Sequence, residues 1–208
     1  MKVLIELPTW LGDAVMSTPA IENIVNFYND LEITFIGSFA PIEALKKHPK
    51  VVKTLVLDKK YISLYGVSRN LGNFDVFFSF RGSVRSKFLK FLISAKKKYQ
   101  FDKNKYQNRH QVEKYNGFVN DSLNTNFPAG KLTLSTINHQ PSTNKTVGLN
   151  PGASYGSAKR WYPQEFAKWQ VNYQVNMISL FFADLVRWIL PVILKKYWLK
   201  MAFKIIKT

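Results

Sequence analysis

The first segment suited to chemistry surrounds Asp13. It follows an apolar run from Val3 to Leu7 and is punctuated by Pro8 and Gly12. An apolar run of this length is typical of a buried strand, and a helical pattern begins at Ala14. Open α/β sheets bind ligands at the carboxyl ends of their strands, so the Asp13 carboxylate is predicted to face a ligand. Asp is also common at helix amino termini, and a simple capping role stays open.

A second segment suits the binding of an anion. It runs from Asn150 to Trp161 and reads Asn-Pro-Gly-Ala-Ser-Tyr-Gly-Ser-Ala-Lys-Arg-Trp. Glycines let backbone N–H groups approach an anion, Ser154 and Ser157 add hydroxyl donors, and Lys159 adds a charge near a helix start. This composition predicts a diphosphate cradle, although the P-loop and G-x-G-x-x-G patterns are absent. A purely structural loop is the alternative.

The same segment contains a G-x-S-x-G pattern centred on Ser154, which is typical of a hydrolase nucleophile. That fold needs a histidine downstream of the serine. The three histidines, His48, His110 and His139, all precede Ser154. The sequence therefore disfavours a hydrolase.

A third segment is the turn Phe80-Arg-Gly-Ser-Val-Arg, in which Arg81 and Arg85 lie on either side of Ser83. Two guanidinium groups at such a turn could clamp a phosphate or a carboxylate through paired hydrogen bonds. Solvent-facing charges on a helix are the alternative.

Composition narrows the class of protein. The 208 residues carry a net charge of +17 and no cysteine, which excludes disulfides and thiolate metal sites. The histidines have no metal-ligand spacing, so no metal is predicted. The excess positive charge favours an anionic partner, but no nucleic-acid-binding motif accompanies it, so nucleic acid is not an expected partner. The apolar run near the amino terminus is short and contains Glu6, so a cytoplasmic location is expected.

The elements that must position these residues alternate between strands and helices. Strands are predicted at Lys2–Leu7, Glu32–Ile36, Val52–Leu57 and Val76–Phe80, with a turn at Asn73-Phe-Asp before the last one. Helices are predicted at Ala14–Tyr28, Pro41–Lys47, Val84–Ile93 and His110–Val119. Residues Ser94–Arg109 are interpreted as a short strand and an exposed loop. This order predicts an α/β domain with a parallel sheet covered on both faces.

The chain is predicted to contain three regions. Residues 1–144 form the first domain, and residues 145–168 begin a second α/β domain with a strand at Lys145–Leu149. In residues 169–208 neither turn chemistry nor a clean period is found. Read in a neighbouring frame after Lys168, A/T-rich codons could encode a strand, a Gly-Pro-Gly loop and an amphipathic helix. We therefore hypothesise a frameshift there, which the nucleotide sequence would test.

Four segments together carry a family resemblance. They are Leu7-Pro-Thr-Trp-Leu-Gly-Asp-Ala-Val-Met-Ser-Thr-Pro-Ala, Ser79-Phe-Arg-Gly-Ser-Val-Arg-Ser, His110-Gln-Val-Glu-Lys-Tyr, and the segment from Asn150 to Trp161. In this order they resemble the ADP-heptose:lipopolysaccharide heptosyltransferases of glycosyltransferase family nine, over about residues 1–168. The resemblance is greatest to heptosyltransferase II.

The resemblance implies a GT-B fold, in which two Rossmann-like domains enclose the active site. It implies transfer of heptose from ADP-heptose to the lipopolysaccharide inner core, without a metal and with no cofactor besides the donor substrate. Asp13 would be the general base. The donor diphosphate would be held by Lys159, Ser154, Ser157 and Gly12, and the anionic acceptor by Arg81, Arg85 and Ser83.

The chain departs from the family after Lys168, because the rest of the donor-binding domain does not follow. The enzyme is therefore expected to be inactive in this form, with peripheral contact at the inner membrane as a further expectation. The alternative is a non-catalytic acceptor-binding or membrane-surface module whose basic apolar tail lies on the membrane.

Overall fold

A computed structural model describes residues 1–28, 30–57, 61–134, 146–149, 162, 165 and 178–181. The chain divides into two compact units, Met1–Ile137 and Asn138–Thr208. Each unit is considered by itself. The domain boundary predicted after residue 144 stays a prediction.

The first unit alternates strands and helices. Its elements are β1 (Lys2–Glu6), α1 (Leu11–Met16), α2 (Thr18–Phe27), β2 (Glu32–Gly37), α3 (Phe39–Leu45), β3 (Val51–Val56), α4 (Tyr61–Leu71), β4 (Asn73–Ser79), α5 (Val84–Leu92), β5 (Ser94–Gln100) and α6 (Gln111–Leu123). The five strands pair in parallel in the order β3-β2-β1-β4-β5. The predicted Rossmann-like α/β fold is confirmed. The direction of winding reverses between β1 and β4, which is where such sheets open a crevice for ligands.

Helices cover both faces of this sheet. Successive side chains of a strand point to opposite faces, so a single strand contributes to the core on each side. Val3 and Ile5 of β1 pack into a cluster with residues of α2 and α6. Leu4 packs on the other face, in a cluster with residues of α4 and α5. Glu6 is two residues beyond Leu4 and lies on the α5 face, where it is fully buried.

The helix predicted from Ala14 to Tyr28 is wrong as a single element. It begins earlier, at Leu11, and it is interrupted at Ser17. The Ser17 hydroxyl donates to the Ala14 carbonyl at 2.7 Å, which closes the end of α1. Pro19 lacks an N–H group and so cannot continue the hydrogen-bond ladder of α1, although it is well suited to the first turn of α2.

The turn predicted at Asn73-Phe-Asp is also wrong, because β4 begins at Asn73. The turn lies one residue earlier, at Gly72, whose φ of 78° is in the left-handed region that favours glycine. Asp75 is part of the strand. Its carboxylate accepts the Lys2 backbone N–H at 2.9 Å and pairs with Lys96 at 2.7 Å. These two contacts explain why an acidic residue is tolerated within β4.

Other boundaries differ less. α3 begins at Phe39, two residues before the predicted start, since proline at position 41 is tolerated in a first helical turn. The short strand expected after Ser94 is the seven-residue β5, at one edge of the sheet. α4 was not predicted from the sequence.

A buried amide network holds α6 against α2. The Asn23 side chain donates to the Asn116 side-chain oxygen at 2.6 Å, and Asn116 in turn donates to the Phe127 carbonyl at 2.8 Å. α6 runs four residues beyond its predicted end and stops at Asn124, whose φ of 53° is left-handed. This network fixes the helix that forms one wall of the cleft described below.

The second unit contains two described strands, β6 (Thr146–Leu149) and β7 (Ile178–Phe181), which pair in parallel. β6 confirms the strand predicted at Lys145–Leu149. β7 lies within residues 169–208, and the frameshift hypothesis for that region stays a prediction. In the described part of the whole chain, no helix is long and apolar enough to cross a membrane.

Candidate functional site

A cleft of about 670 Å³ opens at the carboxyl edge of the sheet in the first unit. It lies at the reversal point of the strand order, between the segments that follow β1 and β4. Three stretches of chain line it: residues after β1 through α1, residues after β4 through α5, and residues from the end of β5 into α6. The lining residues are Pro8, Thr9, Trp10, Asp13, Phe80, Arg81, Gly82, Ser83, Lys87, Gln100, Phe101, Asp102, Lys103, Asn104, Gln111 and Tyr115.

Asp13 lines this cleft from the first turn of α1 and is half-buried. The residue at the amino-terminal cap of α1 is Trp10, and the capping alternative for Asp13 is therefore wrong. The cap lies earlier because the helix starts at Leu11, three residues before the predicted start. Among the described residues, no hydrogen bond or ion pair occupies the Asp13 side chain, which leaves its oxygens available to a ligand.

Tyr115 of α6 lies close enough to Asp13 to respond to its charge. Burial, and secondly the negative charge of Asp13, raise the pKa of the Tyr115 phenol above its ordinary value. The phenol is therefore a proton donor over the whole physiological range. A protonated phenol beside a carboxylate gives this wall of the cleft one donor and one acceptor for a hydroxylated ligand.

Arg81 lines the cleft directly after β4, with only 12% of its side chain exposed. Its backbone is held in two ways. The Gln100 amide donates to the Arg81 carbonyl at 3.1 Å, and the Arg81 N–H donates to the Ser79 oxygen at 3.3 Å. The Arg81 guanidinium donates to Glu6 at 3.4 Å.

The structure brings together some of the predicted acceptor residues but not all. Ser83 lines the cleft and also caps α5, because its hydroxyl oxygen accepts the Ser86 N–H at 3.2 Å. Arg85 does not line the cleft, and its Nε is buried. Position 85 is on the first turn of α5, two residues from each of the cleft residues Ser83 and Lys87, which places it on the other face of that helix.

Of the four residues predicted at the donor diphosphate, one is described. Gly12 is exposed on α1, but it is not among the residues that line the cleft. Ser154, Ser157 and Lys159 lie outside the described residues. The diphosphate cradle therefore stays a prediction.

Sequence reasoning missed several cleft residues. Lys87 and Lys103 add positive charge to that of Arg81, and Gln111 and Tyr115 come from one face of α6. The signal for the last two was present in the segment from His110 to Tyr115, because residues four apart share a helix face. The two lysines carried no comparable signal among the many in this basic chain.

The arrangement is suited to binding an anion and positioning a hydroxyl group. Three cations and two carboxylates, Asp13 and Asp102, line the cleft. The charge of Asp13 acts on the phenol of Tyr115, which also lines the cleft. Among the residues that the structure describes, no three His, Cys, Asp or Glu side chains are grouped so that they could hold a metal ion.

Comparison with known proteins gives relatives of one kind. The chain is 38% identical over 190 residues to lipooligosaccharide heptosyltransferase 2 of Campylobacter jejuni serotype O:2, a match that covers 88% of this chain and 59% of the relative. The corresponding protein of serotype O:6 is 36% identical, with 88% and 60% covered. The chain thus spans about three fifths of the length of these curated relatives. No protein-family model matches it.

Solved structures show the same fold at low sequence identity. A glycosyl transferase family 9 protein of Veillonella parvula matches with a TM-score of 0.71 and 19% identity, covering 92% of this chain and 65% of that one. The Escherichia coli heptosyltransferase WaaC, solved with ADP-2-deoxy-2-fluoro heptose, gives a TM-score of 0.71 at 14% identity, covering 88% and 70%. At these identities the likeness supports the fold alone.

Proposed function

This chain is a homologue of the lipooligosaccharide heptosyltransferases of glycosyltransferase family nine, and on that premise we propose that its first unit is the acceptor-binding half of such an enzyme. The reaction is the transfer of heptose from ADP-heptose to the inner core of lipopolysaccharide or lipooligosaccharide. The observation that carries the proposal is the cleft at the strand-order reversal, which is lined by Asp13 together with a set of cations.

In the proposed reaction Asp13 is the general base. Its carboxylate takes the proton from an acceptor hydroxyl as that oxygen attacks the anomeric carbon of the donor heptose. The new glycosidic bond forms while the bond from that carbon to the diphosphate oxygen breaks, and ADP leaves with the electron pair. General base catalysis of this kind contributes roughly 10²–10⁴-fold.

The other predicted residues have supporting roles in this proposal. Arg81 and Ser83 bind the anionic acceptor, with Lys87 and Lys103 added from the cleft lining. Arg85, which was predicted to bind the acceptor, does not line the cleft and is given no direct contact with the acceptor in this proposal. Lys159, Ser154 and Ser157, with Gly12, bind the donor diphosphate and stabilise the leaving ADP electrostatically. The three regions 1–144, 145–168 and 169–208 are kept as proposed divisions of the chain.

We also propose a cytoplasmic protein in peripheral contact with the inner membrane, without nucleic acid as a partner. Val84 and Phe91 of α5 support this location, because they are 77% and 80% exposed on the helix whose start lines the cleft. Lys87 lies beside them and suits anionic lipid. Flotation with anionic vesicles tests this contact, and unchanged flotation of a Val84→Ser, Phe91→Ser double variant would count against it.

The transfer proposal is tested in an enzyme that carries both halves. ADP-heptose and a heptose-free core acceptor are supplied, and heptose transfer is measured for wild type, Asp13→Asn and Asp102→Asn. The Asp13 variant is expected to lose about 10²–10⁴-fold in turnover, whereas the Asp102 variant, a second carboxylate of the same cleft, stays within several-fold of wild type. Wild-type turnover in Asp13→Asn would refute the assignment.

A further inference from the structure

Glu6 is the most unusual ionisable residue of the first unit. It is the last residue of β1, it is fully buried, and its side chain points to the face of the sheet covered by α5. A carboxylate in such a place is costly unless hydrogen bonds and opposite charge compensate for the lost water. None of the roles proposed above uses Glu6.

Three donors surround the Glu6 carboxylate, and each comes from a different part of the chain. The Ser79 hydroxyl at the end of β4 donates to Oε2 at 2.6 Å, and the Ser86 hydroxyl of α5 donates to Oε1 at 2.9 Å. The Arg81 guanidinium donates to Oε1 from the segment between them, at 3.4 Å. Glu6 therefore joins β1 to the strand end, the turn and the helix that form the opposite side of the cleft.

The Arg81 guanidinium has one charged partner among the described residues, the Glu6 carboxylate. Its Nε is buried and has no hydrogen-bond partner among the described residues, and Glu6 is the one acid with which it forms an ion pair there. A long side chain that makes one charged contact can rotate away when the contact is removed. The buried acid thus limits the directions in which the guanidinium can point.

We propose that Glu6 is a positioning residue, whose buried negative charge holds the Arg81 guanidinium at the cleft in the geometry that binds an anionic acceptor. The identity of the ligand, an anionic acceptor, rests on the proposed function, whereas the Glu6–Arg81 contact does not depend on it. The charge is the essential property, because the two serine hydroxyls can reorient to bond a neutral amide, whereas a guanidinium that lies beside a neutral amide loses its ion pair.

The first test is a double-mutant cycle on the full chain. The probe is a water-soluble, delipidated and phosphorylated core oligosaccharide without heptose, and its binding is measured by calorimetry. Glu6→Gln keeps the shape of the side chain and is expected to weaken binding by about tenfold, within the range of coupled contacts. In the Arg81→Gln background the same change is expected to add almost nothing.

Glu22→Gln is the matched control, because Glu22 is an acid of the same unit that does not line the cleft, and it is expected to bind like wild type. Losses that multiply in the Glu6→Gln, Arg81→Gln double variant would overturn the proposal, since Glu6 would then act independently of Arg81. Wild-type binding by Glu6→Gln would overturn it as well.

A second measurement does not require the acceptor. The Nε–Hε signal of Arg81, assigned by its loss in Arg81→Lys, is followed by nitrogen-15 NMR. We expect a slowly exchanging signal in the wild-type chain that exchanges faster or moves in Glu6→Gln, with the rest of the spectrum retained. An unchanged Arg81 signal would refute positioning. If the signal changes but the wild-type chain does not bind the oligosaccharide, the contact stands and the proposed acceptor role fails.

Discussion

Phe118 of α6 is the position where a single substitution most directly tests how the cleft is supported. Its side chain is 3% exposed and contacts three other rings edge-on, with centroid distances of 6.2 Å to Phe78, 5.5 Å to Phe80 and 5.8 Å to Phe101. Two of these partners, Phe80 and Phe101, line the cleft. The ring of Phe118 therefore fills the space directly behind the binding surface.

Replacing Phe118 by alanine removes a buried side chain worth about 1.5–3 kcal/mol of transfer free energy. The cavity left among the three rings adds to this, so the free energy of unfolding is expected to fall by about 3–5 kcal/mol. With a urea slope of about 2 kcal/mol per molar, the unfolding midpoint followed by circular dichroism moves down by about 2 M.

Phe91→Ala is the matched control. Phe91 is 80% exposed on α5, and its removal is expected to change stability by less than about 0.5 kcal/mol. Phe118→Leu, which keeps most of the volume, is expected to cost less than about 1.5 kcal/mol and serves if the alanine variant does not fold. A loss below about 1 kcal/mol in Phe118→Ala would refute the packing argument.

Two further predictions concern charge and backbone space. A hydrogen bond from Lys105 is the main cause that lowers the pKa of Asp121 in the folded chain. The Asp121 carboxylate therefore stabilises the fold above the ordinary Asp pKa, and this stabilisation is lost as the pH falls through the lower pKa that Asp121 has in the folded chain. The gap between wild-type and Asp121→Asn urea midpoints should stay constant from about pH 7 to about pH 5 and narrow as the pH falls further, and a gap at about pH 3 equal to that at pH 7 would contradict this. A Cβ added at Gly82 would lie 3.1 Å from the Phe101 carbonyl oxygen, whereas one added at Gly12 meets no atom within 4 Å. Gly82→Ala should therefore lower the thermal midpoint, while Gly12→Ala, inside α1, should leave it unchanged or raise it; equal effects would exclude the steric explanation.

The central strands β1, β2 and β4 could be predicted because their apolar runs are short and buried on both faces. The interruption at Ser17 could not, since the apolar spacing continues through it. Its cause is local chemistry: a serine hydroxyl that bonds a carbonyl and a proline without an N–H group. α4 was missed because its residues, which include Gly66 and two serines, favour a helix only weakly.

Parts of the site were predictable for a different reason. Asp13, Arg81 and Ser83 each follow a strand, and parallel strands bring their carboxyl ends to one edge. Tyr115 comes from the far end of the unit in sequence and reaches Asp13 only through the packing of α6. Glu6 interrupts an apolar run, and no role could be assigned to it from the sequence alone. The surrounding hydrogen-bond donors in the structure explain why a buried carboxylate is tolerated there.

β5 is an edge strand, and positive charge on this strand affects how the chain associates with other copies of itself. An outer strand offers unpaired backbone groups to any other extended chain, and a growing stack of such strands would precipitate the protein. Lys97 is exposed along this strand, as is Lys96, whose charge is paired with Asp75. A second copy that approached in register would meet the charge of its own Lys97 and be repelled. Neutralising Lys97 would therefore lower the solubility of the chain without changing its cleft.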